Sequence, residues 1–357
     1  MIFNNKIYII AEIGVNHNGD MKLAKKLIVA AKYTGANAVK FQNFTAEKLA
    51  TKNSKKATYQ KKNTKKNETQ YEMLKKLELK KDNYFELKKF CKKIKIEFIS
   101  SVFDEESITF LSTKLKVKYI KVPSGEITNY PLLQKLQKIN KKIILSTGMA
   151  NLREIVISLN IIARNKIFKF INDDKVIIKN KQLHKKLKKK ICILHCVSDY
   201  PVENKYANLS AIENLKKNLE LNIGYSDHTL GVLAPLIAVS KGAKIIEKHL
   251  TLSNDMTGPD HKASLEPNEF KKMIKYLRTF EVMNGSGQKK LQKCELKNIN
   301  IARKSIVAKK FIKKNELFSY LNLTTKRPGN GLSPMKISSL IHKKAKKNFQ
   351  PDELIKL

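Results

Sequence analysis

Ile7-Tyr8-Ile9-Ile10-Ala11-Glu12-Ile13, a helical stretch over residues 21–33, and Ala36-Asn37-Ala38-Val39-Lys40-Phe41-Gln42 open the chain. Two apolar runs of strand length flank a segment of helix length. Parallel strands need such a crossover, so the unit reads as strand–helix–strand. The beat continues. Apolar runs at 96–101, 118–122, 142–146, 191–196, 222–225 and 243–249 alternate with helical patterns at 83–93, 105–114, 151–163, 208–218 and 230–241, and a last helix is expected over 267–280. Eight strands, each followed by a helix, predict the α/β class and a parallel (β/α)8 TIM barrel.

Two segments break the rhythm. Residues 45–81 form a polar connection too long for an ordinary strand-to-helix loop, and loops of that size are lids or disordered. Residues 164–190 are lysine-rich and read as a surface insertion with no assigned function. After Met283-Asn284-Gly285-Ser286-Gly287 the pattern changes to a polar stretch, Lys304-Ser305-Ile306-Val307-Ala308, short β-like runs and the turn Arg327-Pro328-Gly329-Asn330-Gly331. The expected division is a catalytic barrel over 1–284, a linker over 285–300 and a small β-rich domain over 301–357, a module marginal by itself.

The chain has 357 residues, 42% of them hydrophobic, enough for a sizeable core. No run approaches the roughly 20 apolar residues that cross a bilayer. The first apolar run contains Glu12 and lacks a basic leader, so it reads as a strand and not a signal peptide. A cytoplasmic location is expected, with no membrane partner and with Cys91, Cys192, Cys196 and Cys294 as reduced thiols. The formal charge is +41, yet only five of the 72 basic residues are arginines, and the lysines spread along the whole chain. Nucleic-acid sites favour arginine forks, so no nucleic-acid partner is expected. A positive field that draws in anionic substrates is.

Catalytic side chains of such barrels come from the C-terminal ends of the strands. There the sequence delivers Glu12, Lys40 and Gln42, Ser101, Lys121 with Ser124 and Glu126, Ser146, Ser226 with His228, and Glu247 with His249. Buried charges without partners are costly, so this clustering marks a site. Lys40, Lys121 and the hydroxyls suit a small ligand carrying phosphate and carboxylate. His228 and His249 end neighbouring strands and suit one divalent ion with open positions, or else are hydrogen-bonded core histidines. Glu247 shares a strand face with His249 by the period of two, and either orients the site or fills a barrel layer. Glu12 and Glu126 can move protons, or pair with neighbouring lysines.

Taken in order, the segments 10–19, 38–42, 122–126, 145–149, 224–229, 247–249, 258–261 and 326–331 resemble the bacterial N-acetylneuraminate (sialic acid) synthases over nearly the full chain. The resemblance implies a TIM barrel followed by an antifreeze-like (SAF) domain. It implies a domain-swapped homodimer in which the small domain covers the partner's barrel mouth. It further implies phosphoenolpyruvate (PEP) and N-acetylmannosamine as substrates, giving N-acetylneuraminate and phosphate. The alternative is a related synthase acting on a 2,4-diacetamido sugar to give legionaminic or pseudaminic acid. Carried over by position, His228 and His249 correspond to ligands of Mn2+, Mg2+ or Co2+. Lys40, Ser101, Lys121, Ser124, Ser146 and Ser226 correspond to PEP contacts. Glu12, Gln42, Tyr200 and Asp260 correspond to sugar contacts, Glu126 to a proton-handling group, and Arg327 to an arginine extended into the other subunit's site. Glu12 and Glu126 together are the expected catalytic carboxylates. The chain departs from the family at Ser100-Ser101-Val102-Phe103-Asp104, where Ser-Thr-Pro-Phe is frequent, at Ser198, where some members have Asn, and in the length of 164–190. Two other readings are a Schiff-base aldolase using Lys121 and a lysine-rich polyanion binder. The first predicts a borohydride-trapped adduct, the second a steep salt dependence.

Overall fold

The computed structural model describes residues 6–64 and 67–356. The chain divides between Asn284 and Gly285 into two compact units. In the first, strands β1 (Tyr8–Glu12), β2 (Ala38–Asn43), β3 (Glu97–Val102), β4 (Tyr119–Val122), β5 (Lys142–Ser146), β6 (Ile191–His195), β7 (Asn222–Asp227) and β8 (Ile245–His249) close into a barrel. Each pairs in parallel with its sequence neighbours, and β8 closes onto β1 with Glu12 opposite His249.

The helices that return the chain to the sheet's starting edge begin and end on local signals. Helix Met21–Thr34 starts at Asp20, whose carboxylate accepts from the backbone N–H groups of Lys22 and Leu23. It stops at Gly35, whose φ of 90° is the left-handed cap glycine tolerates. Helix Leu152–Ala163 begins with a capping box between Asn151 and Glu154. The stretch read as one helix over 105–114 is α-helical over Glu105–Thr109 and widens into a π-helical turn over Phe110–Lys114.

Side-chain alternation along each strand decides what the barrel contains. Ile9 and Ala11, Val39 and Phe41, Ile143 and Leu145 face outward into the large apolar layer under the helices. Ile10, Ala38, Ile99, Tyr119, Ile144, Cys192, Leu194 and Ile245 face inward and pack together as an apolar floor. Gly224 occupies the same layer on β7, where a Cβ would stand 2.6 Å from Leu194 and 2.7 Å from the Ile245 carbonyl. One step of two residues further along each strand, the inward positions are Glu12, Lys40, Ser101, Lys121, Ser146, Cys196, Ser226 and Glu247. A polar layer therefore sits directly on the apolar one.

The described residues of 45–81 are neither a bare loop nor without a core. They form helices Ala46–Leu49, Thr58–Asn63 and Gln70–Leu77. Ala46, Met73, Leu74 and Leu77 bury against Val15 and Phe44. The 164–190 insertion is a β-hairpin, Phe168–Asn172 with Lys175–Ile178, followed by helix Lys181–Lys190. Its inner contacts are Val176 N to Asn218 Oδ1 (3.1 Å) and His184 Nε2 to the Leu219 carbonyl (2.8 Å). All four cysteines are free, three of them buried. Among the described residues, no helix is long and apolar enough to cross a membrane.

The second unit pairs β9 (Ser305–Ala308) with β10 (Leu323–Lys326) in antiparallel fashion. Its own core is Ile306, Ala308, Ile312, Phe318, Leu323, Leu340, Ala345, Phe349 and Ile355. Helix Leu296–Ala302 begins inside the stretch expected as linker and buries none of its residues.

Candidate active site

The polar layer is a connected electrostatic unit. Glu12 Oε2 lies 2.5 Å from Lys40 Nζ, while its Oε1 accepts from Gln42 Nε2 and from the Gly14 N–H, both at 3.0 Å. Lys40 Nζ also donates to Ser101 Oγ at 3.2 Å and stands 3.6 Å from Glu247 Oε1. The same Glu247 oxygen is 3.4 Å from Lys121 Nζ and accepts from Ser226 Oγ at 3.0 Å. Lys121 Nζ donates to Ser146 Oγ at 2.7 Å. Two ammonium groups and two carboxylates thus alternate across β1, β2, β8 and β4, all buried.

Environment sets their protonation. Burial works against charge on Lys40, but the adjacent Glu12 and Glu247 outweigh it and raise its pKa. Burial would also raise Glu247, yet Lys121 and Lys40 pull it below the ordinary carboxylate value. Lys121 moves the other way: its desolvation exceeds the attraction of Glu247, and its pKa falls. Lys121 is therefore the less firmly protonated of the two cations.

Beside this layer, the rings of His228 and His249 lie 5.6 Å apart between centroids, inclined at 62°. Burial pushes His228 down to about 4 and His249 well below its usual value, so both imidazoles are neutral at pH 7. His228 Nδ1 is 2.6 Å from the Val197 carbonyl, which can only accept. The proton is therefore on Nδ1, and the Nε2 lone pair is free for a ligand. His249 Nδ1 is buried with no hydrogen-bond partner, 3.8 Å from Asp260 Oδ2. An orphaned buried nitrogen is costly, and a cation would satisfy it. Two neutral imidazoles with available lone pairs fit a divalent ion with positions left for water or substrate. Among the described residues no group of three or more His, Cys, Asp and Glu is arranged to hold a metal.

Tyr200 covers the histidines, its ring 4.2 Å from His228 and 5.7 Å from His249. Asp260 is buried, and burial, with Glu12 nearby, pushes its carboxyl up to about 7. Ser124 opens the short 3-10 turn Ser124–Glu126, and its Oγ is 3.1 Å from Cys196 Sγ and accepts from the Gly148 N–H at 3.0 Å. The Gly148 N–H is also 3.1 Å from Cys196 Sγ.

Of the residues expected from sequence, Glu12, Lys40, Gln42, Ser101, Lys121, Ser146 and Ser226 join through direct contacts. His228, His249, Tyr200 and Asp260 form a second connected group, touching the first where Ser226 Oγ is 3.5 Å from His228 Nε2. Glu126 stands apart: its Oε2 accepts from Asn129 Nδ2 at 2.6 Å, and burial raises its pKa. Arg327 lies in the second unit, exposed, with Nε donating to the Ala302 carbonyl at 3.0 Å.

Three features escaped the sequence reading. Cys196, read as a small buried residue, is the inward neighbour of Ser124 and Gly148, and counting by two from Cys192 would have found it. Tyr59, on the helix Thr58–Asn63, packs against Tyr200 with the rings tilted by 34° and 4.9 Å between centroids, and no local signal in a polar connection reveals that. Asp227 and Lys248 form a fully buried ion pair on the outward side of β7 and β8.

Comparison with known proteins agrees with this architecture. The NeuB family matches residues 27–289 and the SAF domain residues 303–357. The chain is 49% identical over 351 residues to the N,N'-diacetyllegionaminic acid synthase of Campylobacter jejuni subsp. jejuni serotype O:2, covering 98% of this chain and 99% of the relative. It is 41% identical over 342 residues to the synthase of the same name from Legionella pneumophila subsp. pneumophila, covering 96% and 91%. Among solved structures, the N-acetylneuraminic acid (sialic acid) synthetase of Leptospira borgpetersenii serovar Hardjo-bovis matches with a TM-score of 0.68 and 33% identity, over 83% of this chain and 91% of that one. With a closed parallel barrel, a polar layer at its C-terminal strand ends and matches spanning both units, the chain belongs to the NeuB family and ends in a SAF domain.

Proposed function

We propose that this protein condenses PEP with a 2,4-diacetamido sugar and water, giving N,N'-diacetyllegionaminic acid and phosphate. The observation that carries the acceptor is the 49% identity to a relative so named, across 99% of that relative. The similarity to a sialic acid synthetase is 33%. The first expectation, N-acetylmannosamine, gives way to the alternative on that comparison.

The chemistry follows from the two connected groups. Lys40 and Lys121, held by Glu12 and Glu247, would receive the phosphate and carboxylate of PEP, with Ser101, Ser124, Ser146 and Ser226 donating from the rim. Presetting two cations spares the reorganisation that water would need as charge develops. His228 and His249 would hold a divalent ion (Mn2+, Mg2+ or Co2+), which supplies Lewis-acid polarisation of a carbonyl. Gln42, Glu12, Tyr200 and Asp260 would orient the open-chain sugar so that its aldehyde carbon faces C3 of PEP. A carbon–carbon bond forms there and the aldehyde oxygen takes up a proton to become a hydroxyl. Water adds at C2 and loses one proton, and the C–O bond to phosphate breaks as the C2 hydroxyl proton leaves with phosphate and the C2 ketone forms. Glu126, with its raised pKa, would carry the proton lost by that water. We extend the reading to a cytoplasmic homodimer in which Arg327 reaches the sugar in the partner's barrel. An Arg327→Ala protein with unchanged sugar KM would remove that contact.

The test is phosphate release from PEP with each acceptor, with and without chelator. The 2,4-diacetamido sugar should give the larger kcat/KM, and chelator should abolish turnover until metal is restored. Equal or better use of N-acetylmannosamine would return the assignment to sialic acid.

A further inference from the structure

We propose that the buried pair Asp227–Lys248, which hydrogen-bonds to no side chain of the two connected groups, is a positioning device that sets the geometry of the His228–His249 metal site. The inference rests on the reading of those histidines as metal ligands and names what holds them.

Asp227 and Lys248 are opposite one another in the β7–β8 register. Each immediately precedes one of the two histidines. By strand alternation both point outward, away from the polar layer and into the apolar sheet–helix layer. Both are fully buried there. A charge pair in that environment loses its hydration and is seldom worth more to stability than an apolar pair of the same volume. Its contacts instead converge on the backbone around His228. Asp227 Oδ1 accepts from the Thr229 N–H (2.9 Å), Thr229 Oγ1 (2.8 Å) and the Tyr225 hydroxyl (3.1 Å). Lys248 Nζ, paired with the other Asp227 oxygen, donates to the Thr229 carbonyl at 2.7 Å. The peptide groups on both sides of Thr229 are thus tied to the strand that carries His249. The His228 carbonyl accepts from Val202 N at 2.9 Å and its Nδ1 bonds to Val197. The Val197 and Val202 contacts anchor His228 to the segment after β6, while the Asp227–Lys248 pair and the Lys248–Thr229 bond tie the same turn to the strand that carries His249.

The decisive measurement is Co2+ binding, by calorimetry and by the visible ligand-field spectrum, on wild type, Asp227→Leu/Lys248→Met and Thr229→Val. The double variant removes both charges together and suits the apolar layer, so it should fold, as judged by its melt. Its Co2+ dissociation constant should rise 10- to 100-fold, as for other changes behind a ligand, with a shifted spectrum. A folded double variant that binds Co2+ within twofold of wild type and with the same spectrum overturns the proposal. Should the double variant fail to fold, Thr229→Val decides: several-fold weaker binding supports the proposal, and an unchanged constant and spectrum overturn it. His228→Ala separates the two readings. If it binds Co2+ as wild type does, the metal site itself is wrong and the proposal falls with it. If it loses binding while the other variants keep theirs, the positioning role alone is refuted.

Discussion

Lys40 Nζ lies 2.5 Å from Glu12 Oε2, with both side chains buried and Glu247 3.6 Å away from the same ammonium. Strands β1 and β2 bring them together because both residues are inward positions one layer above the apolar floor. A cation so placed is held before any anionic substrate arrives.

Lys40→Met should therefore destabilise the protein by about 3–5 kcal/mol, since it leaves two buried carboxylates short of a counter-charge. Urea unfolding measures it. Glu12→Gln/Lys40→Met should recover at least half of that loss, yet phosphate release from PEP should stay at background. Activity returning with stability would deny Lys40 its role towards PEP.

Gly148→Ala should impair PEP use more than folding. A Cβ there would run into Ser198 Oγ and would lie 2.8 Å from Ser124 Oγ and 3.1 Å from Cys196 Sγ, so all three side chains must shift. Overpacking of this kind costs about 1–3 kcal/mol. The PEP KM should rise roughly tenfold or more, because a misplacement near 1 Å carries such losses. Steady-state kinetics at saturating sugar tests this.

Glu126→Gln should lower kcat by about 10²–10⁴, the range for a positioned proton-transfer group. Burial raises the Glu126 pKa, so the acid limb of the wild-type profile should fall above the ordinary carboxylate value and vanish in the variant. A kcat–pH profile unchanged in shape would move the proton transfer elsewhere.

Acid should weaken the fold through His17. Burial holds its imidazole at about 4, and its Nδ1 accepts from the Gly19 N–H at 3.1 Å, so it is neutral in the native state. The unfolded chain takes up this proton near 6.5. Between pH 6.5 and 4 the unfolded state binds more protons, and stability falls as pH falls, by up to about 3 kcal/mol from this residue. Denaturant midpoints at pH 7, 5.5 and 4.5 should drop less steeply in His17→Gln than in wild type. Parallel slopes would contradict the assignment.

Much of this was readable from the chain. The strand–helix rhythm predicted eight barrel strands in order, and all eight form. Motifs at the strand ends named most of the polar layer, because in a parallel barrel the C-terminal ends of all strands meet at one face. Local propensity was less informative where tertiary packing decides. The polar segment 45–81 hides only a few apolar positions, yet Met73, Leu74 and Leu77 suffice to fold it onto Val15 and Phe44. Tyr59 reaches Tyr200 only because that packing exists.

The order of residues along the chain determined the fold class and, through the two-residue alternation of each strand, which groups look into the barrel. Only the closed structure decided their pairings: that one oxygen of Glu247 serves both lysines, that His249 keeps an unsatisfied nitrogen, and that Asp227 and Lys248 brace the turn from behind. Alternation is a property of a single strand, whereas contact depends on barrel closure, which places β8 beside β1 although more than 200 residues of chain separate them.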